Sequence, residues 1–148
     1  MQSREFEILK RLKENYPEAK TALEHSNAFE LLIATILSAQ CTDERVNIVT
    51  KSLFSKYKKP EDYLTIPVEE LEREIYSTGF YKQKAKSIKK CCEIICSKYN
   101  GKVPKNFDDL TSLPGVGRKT ASVVAGACFN IPAIPVDTHV KRISFLLG

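Results

Sequence analysis

Apolar residues recur along this chain at three- and four-residue intervals, and no stretch alternates apolar with polar positions over the length of a strand. Phe6, Leu9, Leu12 and Tyr16 form one stripe, which Pro17 closes. Residues 28–39 are apolar nearly all round, which predicts a helix buried at the centre. Asp43 is the expected N-cap of the next helix, striped by Val46, Val49, Leu53 and Tyr57. Pro67 suits the first turn of a short helix carrying Val68, Leu71 and Ile75. The longest helix is expected over 80–99, with Tyr81, Ala85, Ile88, Cys92, Ile95 and Tyr99 inward and Asn100-Gly101 at its end. Helices over 107–112 and 117–128 flank a glycine turn. Pro132 and Pro135 then enforce an extended crossing before a last helix from Asp137. The pattern predicts an all-α chain.

Composition narrows the class. The chain has 148 residues, enough for one domain or one and part of another. With 43% hydrophobic residues it can bury a core, and its net charge of +5 suits a polyanionic partner without requiring one. The N-terminus is charged throughout, and the longest apolar run, AFELLIATILSA, contains Glu30 and is too short to span a bilayer. A soluble, non-exported, cytoplasmic protein with no membrane partner is expected. Cysteines stand at 41, 91, 92, 96 and 128, without framework spacing. Cys92 and Cys96 share a helix face, yet no CxxC pair or nearby histidine completes a ligand set. Free, buried thiols and no metal are the expectation.

The chemistry gathers at LPGVGRKTA, residues 113–121. Two helices joined by Leu-Pro-Gly-Val-Gly form a helix-hairpin-helix, in which glycine permits the sharp turn. The N–H groups around Val116, Gly117 and Arg118 then point outward from the positive end of a helix dipole, a site for one backbone phosphate. A plain helix-helix turn would need less of this sequence. Lys119 has two readings. It could contact a phosphate, or it could be a nucleophile that forms a Schiff base at a carbon losing its base. The second role requires the neutral amine, which the positive potential of Arg118 and the helix terminus favours. Asp137, in PVDTH, either caps a helix or holds a carboxylate beside an oxocarbenium-like sugar, and the two roles are compatible.

LPGVGRKTA, VDTHV and LLIATILSAQCTD, spread over almost the whole chain, resemble the endonuclease III family. These are helix-hairpin-helix DNA glycosylases with a Gly/Pro-rich loop and a distal aspartate. The resemblance implies a bifunctional base-excision glycosylase and abasic-site lyase acting on oxidised pyrimidines in double-stranded DNA. Lys119 would be its nucleophile and Asp137 its catalytic carboxylate, with β-elimination following base loss. Gly115, Val116, Gly117 and Arg118 would hold the backbone. Gln40 resembles the residue that fills the gap left by a flipped base, and Phe80 stands where the family places an apolar wedge. Lys82 and Lys84 lie close to that wedge as further DNA contacts, and Asp43 would line the pocket. Lys86, Lys89 and Lys90 read as a solvated face, and His139 as structural. A prokaryotic member would associate with the nucleoid.

Full-length relatives continue past the aspartate into helices that pack with the first helix as a second domain. Most carry four closely spaced cysteines holding a [4Fe–4S] cluster. The five cysteines here do not match that spacing, so no cluster is expected in this chain. Residues 1–20 and 134–148 would belong with an incomplete second domain, and 21–133 with the helical one. Apolar side chains at the two ends, Phe6 and Leu9 at one and Phe145 and Leu146 at the other, would then favour self-association. The alternative function is a catalytically inactive helix-hairpin-helix fragment that only grips DNA.

Overall fold

The computed structural model describes residues 4–15 and 21–129, all α-helix, short 3-10 turn and loop. Eight helices are present among them: α1 (Arg4–Asn15), α2 (Ala28–Leu37), α3 (Asp43–Lys56), α4 (Pro60–Thr65), α5 (Val68–Ile75), α6 (Tyr81–Lys98), α7 (Phe107–Thr111) and α8 (Arg118–Cys128). Of the first stripe, Phe6 is half exposed, while Leu9, Leu12 and Tyr16 have side chains outside the described set. Residues 130–148, and with them Asp137, His139 and the predicted last helix, lie outside it too.

Helix α2 is the central post. Every residue from Leu31 to Leu37 is buried, as its all-round apolar sequence requires. Asn27 starts it by accepting from the Glu30 N–H at 2.9 Å. Helices α3, α6 and α8 pack against it, and α4 and α5 pack against α6. The stripe of α3 points inward as expected, with Val46, Val49, Leu53 and Tyr57 all buried. Its cap differs from expectation: Thr42, not Asp43, accepts the Arg45 N–H at 3.2 Å, and Asp43 is the exposed first residue of the helix. A hydroxyl one position earlier satisfies the donor, and the carboxylate instead meets the positive end of the helix dipole.

Helix α4 has no counterpart in the sequence reading. Pro60 fixes its first turn, and the Asp62 carboxylate accepts from the N–H groups of Lys58 and Lys59 at 2.9 and 3.1 Å. Six residues are too few for periodicity to register. Helix α6 buries Ala85, Ile88, Cys92 and Ile95 as expected, and Cys91 besides. It ends where Asn100 and Gly101 take left-handed backbone, with the Gly101 N–H donating to the Ile95 carbonyl at 3.0 Å.

Two lysines of α6 depart from a solvated face. The Lys89 ammonium donates to the carbonyls of Tyr63, at 3.0 Å, and Ile66, closing the end of α4. Lys84 is 6% exposed and donates to Leu37 O at 2.8 Å and Thr78 O at 2.9 Å. It is a buried helix-end cap and not the surface DNA contact expected from its position. Lys90 does stay outside, 3.4 Å from the Glu93 carboxylate.

Candidate nucleic-acid interface

The hairpin is built from Leu110, Leu113 and Val116, all buried, which anchor the turn between α7 and α8. The Val116 N–H donates back to Leu113 O at 3.1 Å, so it is spent on the turn and does not face outward as expected. The two glycines do different work. Gly115 has φ +77°, and a Cβ there would lie 3.0 Å from the Ser87 Cβ and 3.6 Å from Ile36. It lets the turn seat itself against α6 and α2. Gly117 has extended backbone, and a Cβ on it would meet nothing within 4 Å. Its openness serves no internal packing. As N-cap of α8 it offers no side chain, so the N–H groups of Gly117, Arg118 and Lys119 find no acceptor among the described residues. Arg118 and Lys119 are exposed beside them.

The hairpin closes one side of a cleft of about 340 Å3. Gln40, beyond the end of α2, and Phe80, at the start of α6, line it with Gly115, Ser87 and Lys84. Three stretches far apart in sequence, SAQ, GFY and PGVG, therefore meet at one place. Both Gln40 and Phe80 adopt left-handed backbone, at φ 52° and 46°, a conformation unusual for residues with side chains. Phe80 is 66% exposed, a large aromatic held out to solvent. Lys82 is exposed in the next turn. Burial pulls the Lys84 ammonium below its ordinary pKa.

The charge arrangement suits an anion. Helices α2, α3, α4, α5 and α7 each carry an acidic residue in the first turn, against the positive end of their dipoles. Helix α6, whose start lines the cleft, and helix α8, which follows the hairpin, carry none. Among the described residues, no acidic side chain lines the cleft itself. That contrast is legible in the sequence as YKQK and RKTA against DERV, PEDY, VEEL and FDDL, although no single motif carries it. Gln83 and Ser87, also on the cleft wall, were missed as well. They stand four apart on α6, and a small residue opposite a required glycine is the signal they offer.

Not every expected site residue joins this cleft. Lys119 sits on the first turn of α8 and outside the cleft wall, Asp43 is not among the lining residues, and the partner expected for Lys119, Asp137, lies outside the described residues. Cys91 and Cys92 point into the core, where burial pushes the Cys91 thiol up to about 12 and the Cys92 thiol higher still. No three His, Cys, Asp or Glu residues among those described come together to hold a metal. No described helix is long and apolar enough to cross a membrane.

Comparison with known proteins gives the family. Residues 33–148 match the HhH-GPD superfamily of base excision DNA repair proteins. The chain is 55% identical to endonuclease III of Bacillus subtilis strain 168, over 95% of its own length and 64% of that protein's. It is 45% identical to endonuclease III of Escherichia coli K12, over 95% of its length and 67% of that protein's. Among solved structures, a non-covalent endonuclease III–DNA complex superposes with a TM-score of 0.89 at 52% identity, covering 97% of this chain and 68% of that one. A trapped endonuclease III–DNA covalent intermediate, the estranged-adenine complex, matches equally well. A thermostable thymine-DNA glycosylase follows with a TM-score of 0.86 at 26% identity, over 93% of this chain and 65% of that one. The chain thus spans about two thirds of the length of these relatives. It belongs to the endonuclease III family within the HhH-GPD superfamily.

Proposed function

We propose that this chain is the DNA-gripping and base-releasing body of a base-excision repair glycosylase with lyase activity on oxidised pyrimidines in duplex DNA. The observation that carries the reading is the meeting of the hairpin, at Gly115, with Gln40 and Phe80 around one cleft, two residues ahead of the open α8 terminus. The hairpin takes a backbone phosphate on the N–H groups of Gly117 and Arg118. Phe80 wedges between bases, and Gln40 offers its amide to the base left without a partner.

In the chemical step, the Lys119 amine attacks C1′ of the damaged nucleotide as the C1′–N bond breaks, and the base leaves with the bonding electrons and takes up a proton. The Asp137 carboxylate steadies the positive charge that develops on the sugar. Opening of the sugar leaves a protonated Schiff base at C1′. Loss of a C2′ proton then expels the 3′ phosphate, and water releases Lys119. Support for a covalent route comes from a relative of 52% identity, which was trapped as a covalent DNA intermediate. The enzyme would work in the cytoplasm, on nucleoid DNA.

The test is a duplex carrying one oxidised pyrimidine, incubated with the chain beside an undamaged duplex. Release of the free base and a strand break at that position are expected. Tight binding with no release would favour the second reading, a helix-hairpin-helix module that only grips DNA. The open face at Gly117 is the observation that such a module would share.

A further inference from the structure

We propose that Lys84 is a positioning residue that fixes Gln40 and Phe80 relative to each other, and that it does so without touching DNA. The inference rests on the reading that the cleft takes a duplex, and its first test does not. Lys84 lies in the first turn of α6, where the helix dipole disfavours a cation, and it is almost wholly buried, which disfavours one further. An ammonium persists there only if strong acceptors compensate it. Both acceptors are helix ends. Leu37 O, at 2.8 Å, is the last carbonyl of α2, just before the loop that carries Gln40. Thr78 O, at 2.9 Å, is the last carbonyl of the 3-10 turn, just before Gly79 and Phe80.

One cation therefore ties together the two chain reversals that present the left-handed residues of the cleft. The link is doubled at Phe80, whose carbonyl accepts the Lys84 backbone N–H at 3.0 Å. A methionine would fill the same slot, but it would leave both carbonyls without a donor and the two loops free to move apart.

The first test uses DNA-free protein. Hydrogen exchange of segments 38–41 and 76–80 is compared between the unsubstituted chain and Lys84→Met. Both segments should exchange at least about tenfold faster in the variant, with 88–95 unchanged. Unchanged exchange in either loop would overturn the clamp. In the unsubstituted chain the Lys84 ammonium should also give an NMR resonance protected from solvent exchange. Its absence would overturn the clamp even if Lys84→Met fails to fold.

The second test places 2-aminopurine opposite an abasic site. Lys84→Met should bind the duplex within about threefold of the unsubstituted chain while losing most of the fluorescence change that reports displacement of that base. Full signal in Lys84→Met would overturn the proposal. Failure of the unsubstituted chain to bind at all would overturn the DNA reading instead, and the exchange comparison would still decide the clamp.

Discussion

Gln40 and Phe80 reach the same cleft from different helices, and each does so from left-handed backbone. For a residue with a side chain this conformation costs roughly 1–2 kcal/mol. Glycine would occupy either position with less strain. Strained residues held out toward a cleft are where function outweighs stability.

That relationship makes Phe80→Gly an informative variant. It relieves the left-handed strain and removes an exposed aromatic, while the freer unfolded chain offsets part of the gain. Folding stability should hold or rise by about 0.5 kcal/mol, measured by urea denaturation. Unstacking of duplex DNA should fall at the same time. A loss of more than about 1 kcal/mol would show that Phe80 is a core residue and not a wedge.

The two hairpin glycines should separate in the opposite sense. Gly115→Ala meets both a positive φ and a 3.0 Å contact with Ser87, so it should cost about 1–3 kcal/mol of stability. Gly117→Ala meets nothing, so its stability should stay within about 0.5 kcal/mol. Its methyl group stands where a phosphate would approach, and DNA affinity should drop about tenfold by titration at fixed salt. Equal stability losses in the two variants would contradict the division of labour between them.

The core thiols give a pH dependence. Burial raises the Cys91 thiol from 9.0 to about 12. The unfolded chain therefore releases this proton above pH 9 while the folded chain keeps it, and folding stability falls as pH rises from 9 toward 12. The slope is about 1.4 kcal/mol per pH unit for one thiol. Urea unfolding at pH 8 and pH 10 should show a loss that is smaller in Cys91→Ala. Identical losses in the two proteins would place the thiol in water.

Much of the architecture was legible because helices announce themselves by burial. The all-round apolar run became α2, and Asn100-Gly101 ended α6 where it stands. Most of what escaped at the site depends on geometry that exists only in the folded chain. Lys84 looked like a surface lysine because its two carbonyl acceptors belong to loops that meet it only in the folded chain. The Val116 N–H looked available because its use inside the turn depends on the turn's own geometry. Gly115 and Gly117 look alike as letters, and only Ser87, arriving from α6, tells them apart. By contrast, the missing acids at the starts of α6 and α8 were visible in the sequence, and comparing helix starts would have found them.

In the proposed reaction Lys119 performs covalent chemistry at a site the hairpin delivers. The most direct measurement is borohydride trapping of the chain on a duplex with one abasic site, beside Lys119→Gln. A covalent adduct is expected with the unsubstituted chain and none with Lys119→Gln, which should still bind the duplex within about tenfold, since one lysine is a small part of the phosphate contact. Equal adducts from both proteins, or none from a folded chain that binds the duplex, would contradict it.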